Sequence, residues 1–98
     1  MIVHWTESAM CDLRSIRATI GRHSLQYAQS MINRLFDRTE ILQRHPLLGA
    51  MVPEFDDATL RELFEDPYRI VYRVETERVV VIAILHAARS DVAWRGRS

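Results

Sequence analysis

The chain has no lysine, one cysteine, three glycines and three prolines. A single cysteine, Cys11, excludes an internal disulfide and a zinc site built from several cysteines, and it is typical of a reducing compartment. All thirteen basic residues are arginines, which favour planar, bidentate contacts to carboxylates and phosphates. His4, His23 and His45 have no spacing with each other or with Cys11 that is typical of zinc ligands. We therefore expect no metal and no cofactor.

Long hydrophobic runs are also missing. No stretch approaches the roughly 20 apolar residues of a membrane-spanning helix, and residues 1–5 are unlike a signal peptide. The formal net charge is zero, with thirteen acidic and thirteen basic residues. A protein that binds nucleic acid through phosphate neutralisation is usually strongly cationic, so this balance argues against non-specific nucleic-acid binding. We expect a cytoplasmic protein that does not interact with membranes.

The size of the chain indicates one domain. With 98 residues, 48% hydrophobic and 27% charged, it can bury one modest core. We expect residues 1–98 to form a single domain, with a partly disordered tail after about residue 90. Because a domain this small is stable by only about 5–10 kcal/mol, a partner that covers its apolar surface would stabilise it further by linkage.

The N-terminal half predicts a strand and two helices. The apolar run Ile2–Trp5 is typical of a short strand, and Thr6 is a suitable N-cap for a helix that ends at Gly21. Apolar residues recur in this helix every three or four positions, which predicts a buried stripe: Ala9, Leu13, Ile16 and Ile20. Ser24 is expected to cap a second helix that runs to about residues 43–45 before a proline stops it. The short connection between the helices predicts an antiparallel hairpin.

The C-terminal half predicts three strands after an irregular segment at 46–59, which is rich in turn formers and breakers. Residues 60–65 alternate weakly between apolar and polar, and residues 68–75 alternate clearly, so that Arg69 and Arg73 face away from Tyr68 and Tyr72. The run from 79 to 85 is apolar at every position, which indicates a central strand covered on both faces.

This order of elements predicts an α+β domain (β-α-α-β-β-β) whose helical hairpin packs on one face of a small, mostly antiparallel sheet. We expect the opposite face to carry Arg61, Arg69 and Arg73, because an arginine on a strand is costly unless it faces water or a ligand.

Five motifs follow one another along nearly the whole chain: Trp5-Thr6-Glu7-Ser8-Ala9 with Asp12-Leu13 and Ile16; Pro46 and Gly49 with Val52-Pro53-Glu54; Arg61-Glu62-Leu63; Tyr68-Arg69-Ile70-Val71-Tyr72-Arg73; and Leu85-His86-Ala87-Ala88-Arg89. In combination they resemble the RelE/ParE superfamily of toxins from type II toxin–antitoxin modules. The resemblance implies a bacterial cytoplasmic protein that is neutralised by a cognate antitoxin in a hetero-oligomer.

The resemblance implies two alternative targets. ParE-like members poison DNA gyrase by binding it, whereas RelE-like members cleave mRNA in the decoding site of the ribosome. The lysines of many RelE-like sites are missing here, and the half after residue 50 has nine acidic residues against seven arginines. We therefore favour a ParE-like inhibitor of gyrase, with the RelE-like endonuclease as the alternative and a catalytically inactive, binding-only module as a second alternative.

The candidate site residues follow from the resemblance. A RelE-like enzyme would use Arg69 on the scissile phosphate, His86 as general acid or base, and Arg89 beside it. The residues expected to bind antitoxin or target are Arg61, Arg69, Arg73, Arg89 and Trp94. Structural roles remain open for each of them: Arg69 could pair with Glu62 or Glu75, Arg61 and Arg73 could form cross-strand ion pairs, His86 could bond to the backbone, and Trp94 could anchor the tail.

Overall fold

The computed structural model describes residues 1–87, which form two α-helices and a five-stranded sheet. The order is β1 (Ile2–Trp5), α1 (Glu7–Gly21), α2 (Leu25–Glu40), a 3₁₀ turn (Ile41–Gln43), β2 (Ala50–Met51), β3 (Leu60–Glu65), β4 (Tyr68–Val74) and β5 (Arg78–His86). The predicted α+β class and order of elements are confirmed, with β2 as an additional short strand in the segment expected to be irregular. The predicted disorder after about residue 90 lies outside the described residues.

Both helices begin where the sequence predicts. The Thr6 side chain accepts a hydrogen bond from the Ala9 amide at 3.0 Å, and the Ser24 side chain accepts one from the Tyr27 amide at 3.0 Å. Each cap satisfies one of the amides that the first helical turn leaves without a partner. The second α-helix ends at Glu40, earlier than predicted, because its last turn tightens into the 3₁₀ geometry common at helix C-termini. No helix within residues 1–87 has the length and apolar character needed to traverse a bilayer.

The strands lie in the order β1-β5-β4-β3-β2. Only β1 and β5 pair in parallel, and the remaining pairs are antiparallel. The apolar strand β5 therefore has a neighbour on each side, as predicted. A bulge interrupts its pairing with β4, since Val71 pairs with Ala83 but Tyr72 pairs with Val81. The bulge places both Ile82 and Ala83 on the face away from the helices.

Both faces of the sheet contribute to a core. The larger apolar cluster lies between the helices and the sheet, and it includes Met31 and Leu35 from α2 and Ile70 and Tyr72 from β4. On the other face, Val52 and Phe55 cover a smaller cluster formed by strand residues, which are Leu60, Val71, Val80, Ile82 and Ala83, with Leu85 beside them. The expectation of an open arginine face is therefore wrong in part. Part of that face is a second core beneath the segment between β2 and β3.

Candidate functional site

Arg69 occupies the centre of the candidate site, on the face of β4 away from the helices. Its side chain is only 11% exposed. The Nε–H donates to a carboxylate oxygen of Glu62, and the Nη2 group donates to both oxygens of Glu54 at 2.8 and 3.1 Å. Of the two ion-pair partners left open by the sequence, Glu62 binds Arg69 and Glu75 binds Arg78 instead. Arg69 therefore lies between two carboxylates of its own chain.

The two carboxylates around Arg69 keep its guanidinium charged. Burial alone would lower the pKa of Arg69, but hydrogen bonds to Glu54 and Glu62 raise it above the ordinary value. Glu62 is 7% exposed on β3, and Glu54 belongs to the segment that covers the smaller core. Arg69 therefore connects β3 to the segment after β2 through two carboxylates.

Arg61 lies on the other side of the sheet. In an antiparallel pair, directly opposite residues share a face, and Arg61 is opposite Tyr72, which belongs to the helix-side core. Its guanidinium donates to the carbonyl oxygens of Gly49 at 2.9 Å, Leu47 at 3.5 Å and Ala58 at 3.2 Å. The prediction that Arg61 shares a face with Arg69 is wrong, because the weak alternation of residues 60–65 does not determine the facing of β3.

Arg73 shares the face of Arg69, as predicted. It lies opposite Leu60 on β3 and Val80 on β5, and it is half-buried. The apolar side chain of Val71 separates the two arginines along β4. They are therefore two separate cations on one face, with part of the smaller core between them.

His86 lies at the end of β5, exposed to solvent and directly opposite Tyr68. The two rings meet edge to face with centroids 5.8 Å apart. Since Tyr68 belongs to the helix-side core, this register places His86 on the helix side of the sheet and Arg69 on the other. Burial, with a smaller contribution from Tyr27, raises the pKa of Tyr68 above its ordinary value. Arg89 and Trp94, the other predicted site residues, lie outside the described residues.

Tyr72 has a role that the sequence analysis did not identify. Its hydroxyl, fully buried, donates to the Pro46 carbonyl at 2.8 Å and accepts from the Gly49 amide at 2.8 Å. A Cβ at Gly49 would lie 2.4 Å from the Glu62 carbonyl oxygen and 2.7 Å from the Tyr72 hydroxyl oxygen, so only glycine fits. The Pro46 and Gly49 motif was the available signal, but it did not reveal which strand residue the turn contacts.

Acidic, histidine and cysteine side chains do not gather into a metal site within residues 1–87, where no group of three could hold an ion. Cys11 lies on the exposed surface of α1, with its sulfur 3.3 Å from an Arg14 nitrogen that also binds Glu7. The described residues provide Arg69 with its two carboxylates, an exposed imidazole on the opposite face, and a tightly held turn at 46–49.

Comparisons with known proteins all match toxins of type II toxin–antitoxin systems. The family model described as the ParE toxin of the type II toxin–antitoxin system parDE matches residues 3–91. A curated relative from Caulobacter vibrioides named Toxin RelE2 is 41% identical over 88 residues, which cover 89% of this chain and 96% of the relative.

Solved structures show the same fold. The chromosomal ParDE system of P. aeruginosa matches with a TM-score of 0.74 and 21% identity, over 88% of this chain and 95% of that one. The RelBE2 toxin–antitoxin complex of Mycobacterium tuberculosis matches with a TM-score of 0.63 and 22% identity, over 87% and 95%. The YoeB/ParE toxin of Agrobacterium tumefaciens matches with a TM-score of 0.64 and 23% identity, over 88% and 98%.

Proposed function

This chain belongs to the ParE toxin family of type II toxin–antitoxin systems, and from that premise we propose that it arrests growth by binding DNA gyrase and not by cutting RNA. The observation that carries the proposal is the separation of the candidate catalytic groups. Arg69 and His86 lie on opposite faces of the sheet, and Arg69 is bound by two carboxylates.

Cleavage of a phosphodiester requires cations on the phosphoryl oxygens and a proton-transfer group within hydrogen-bond reach of the same phosphate. Groups on opposite faces of a sheet cannot contact one phosphate together. A phosphate at Arg69 would also have to displace Glu54 and lie next to Glu62, whose negative charge would repel it. Both features count against RNA cleavage by Arg69 and His86.

Inhibition by binding makes smaller demands on the chain. A protein–protein interface needs complementary shape with a few well-packed anchors, and a chain of zero net charge can provide these. Two adjacent large apolar side chains, Leu47 and Leu48, are exposed among the described residues. Their presence supports a protein target in the bacterial cytoplasm, with a cognate antitoxin that prevents access to it.

A RelE-like endonuclease is the second candidate. Two observations favour it: the name of the 41% identical relative, and the position of His86, which is exposed at a strand end with its ring against Tyr68. A cation supplied from outside the described residues would be needed to complete such a site. The two candidates differ in what they act on, so they can be tested separately.

The decisive experiment is a supercoiling assay with purified gyrase and toxin that has been separated from its antitoxin. We expect the toxin to inhibit supercoiling and to cause cleaved DNA to accumulate, and the His86→Ala variant to behave like the wild type. Normal supercoiling without cleaved DNA at excess toxin would refute the proposal. Primer extension on translated messages tests the alternative: cuts at codon positions that disappear in His86→Ala would establish it. A binding-only module would give neither result.

A further inference from the structure

The turn at residues 46–49 is held rigidly from the inside. Tyr72 binds both of its ends, Arg61 donates to the Gly49 and Leu47 carbonyls, and the Leu48 amide closes the turn on the His45 carbonyl at 3.1 Å. These bonds direct the polar backbone groups of the turn inward. A surface segment held in this way loses little conformational entropy when it binds a partner.

The same turn directs large apolar side chains outward. Leu47 is 61% exposed and Leu48 is 49% exposed, and Met51 follows in the adjoining strand with a similarly open side chain. Scattered apolar residues are ordinary on protein surfaces, but adjacent ones form the kind of patch that marks binding sites. Preorganised apolar side chains are typical anchors of protein interfaces. We call Leu47, Leu48 and Met51 the turn patch.

The turn patch adjoins an open strand edge. Strand β2 is the last strand of the sheet, and within residues 1–87 only β3 pairs with it. An open edge presents backbone donors and acceptors to which an extended segment of another chain can add as a further strand. Apolar contacts and backbone hydrogen bonds are therefore available side by side.

The electrostatic character of this region indicates what kind of segment would fit. Between Glu40 and Glu54 the sequence contains no acidic residue, whereas Arg44 and His45 are both present and exposed. Arg61, beneath the turn, donates to carbonyl groups and forms no ion pair with a described residue. Residues 41–53 therefore combine exposed apolar side chains with basic side chains alone, which complements a segment with apolar and acidic side chains.

We propose that the turn patch and the free edge of β2 are a docking surface for an extended segment of the cognate antitoxin that carries apolar and acidic side chains. The antitoxin is the occupant chosen because family membership supplies such a partner and because covering apolar surface would stabilise this small domain. The inference depends on the chain having an antitoxin. It does not depend on gyrase being the target.

The test measures the affinity for the antitoxin encoded beside the toxin, by titration calorimetry with full-length proteins. The double variant Leu47→Ser with Leu48→Ser changes only exposed side chains, so its circular dichroism spectrum and melting temperature should match the wild type. We expect it to bind antitoxin at least tenfold more weakly. The matched control is Leu25→Ser, which removes a leucine that is 79% exposed at the start of α2, and it should change the affinity less than twofold.

A charge variant tests the second half of the inference. Arg44→Glu should weaken binding about tenfold at low salt and less at high salt, whereas Arg17→Glu on α1 should have little effect. Amide hydrogen exchange should show new protection of β2 in the complex. The inference would be overturned if the double variant bound antitoxin with unchanged affinity. It would also be overturned if the double variant lost only its inhibition of gyrase, or only its self-association, while still binding antitoxin normally.

Discussion

Replacing Tyr72 with phenylalanine removes one oxygen atom and two buried hydrogen bonds. The hydroxyl connects β4 to both ends of the 46–49 turn. In Tyr72→Phe, the Gly49 amide and the Pro46 carbonyl lose their partner beneath a ring that is fully buried. We expect this small change to be strongly destabilising.

The magnitude can be worked from these two contacts. A buried donor or acceptor that loses its partner costs about 1–3 kcal/mol. The Pro46 carbonyl is only partly buried, so water offsets part of its loss, and the more apolar ring of phenylalanine recovers a further fraction. The free energy of unfolding should therefore fall by about 2–3 kcal/mol, which corresponds to a decrease in melting temperature of about 10–20 °C for a domain of this size.

Urea denaturation followed by circular dichroism measures this change. The midpoint should move to lower urea at an unchanged m-value, because the surface exposed on unfolding stays the same. Tyr27→Phe is the matched control, since Tyr27 is exposed on α2, and it should stay within about 0.5 kcal/mol of the wild type. If Tyr72→Phe falls within that same margin, the hydroxyl does not hold the turn, and the rigid docking surface loses its basis.

The same phenol gives the protein a pH dependence. Burial raises the pKa of Tyr72 in the folded state above its ordinary value, and it raises that of Tyr68 as well. Because the folded state holds these phenol protons more tightly than the unfolded state does, the protonated phenols favour folding. This contribution to the free energy of unfolding is complete below about pH 10 and is lost as the pH rises through the raised pKa values of the folded state. Wild-type stability should therefore decrease above about pH 10, and the decrease should be shallower in Tyr72→Phe. Equal slopes in the two proteins would contradict this explanation.

Three further substitutions test other parts of the structure. Gly49→Ala should destabilise the fold by about 2–4 kcal/mol, measured by denaturant titration, because the added methyl group has no room. Gly21→Ala is the control and should be neutral or stabilising, because its methyl group makes an ordinary contact 3.5 Å from a leucine carbon. Arg69→Met should cost about 3–5 kcal/mol, since it removes the cation bound to the buried carboxylate of Glu62. Arg78→Met removes an exposed pair and should cost less than about 1 kcal/mol, and equal losses in the two variants would show that burial of the pair is unimportant. Thr6→Ala should remove about 1 kcal/mol of stability by loss of the helix cap, and an unchanged melting temperature would disprove that role.

The contacts around Arg69 bear on whether this residue has a catalytic or a structural role. The position of an arginine on a strand face does not distinguish a catalytic role from a structural one, whereas the groups that it contacts do. Here the partners are carboxylates from β3 and from the segment after β2, so Arg69 fastens that segment over the smaller core. In the free chain, these contacts attach the segment after β2 to the sheet.

The sequence by itself determined the class of the fold, the starts of both helices and the family. These features depend on local patterns: Thr6 and Ser24 are capping residues, the apolar stripes repeat with a helical period, and residues 79–85 are continuously apolar. The family motifs are likewise short stretches of adjacent residues. Each can be read without knowing what lies next to it in space.

Only the tertiary structure decided which side chains meet. The bulge at Ile82 and the register of β3 with β4 place Arg61 and His86 on one side of the sheet and Arg69 on the other. The pairing of Arg69 with Glu54 joins residues fifteen positions apart, and Tyr72 reaches a turn more than twenty residues before it. Contacts of this kind depend on strand register and chain reversal, and local patterns do not encode them, because a shift of one residue in register moves a whole strand's side chains to the opposite face.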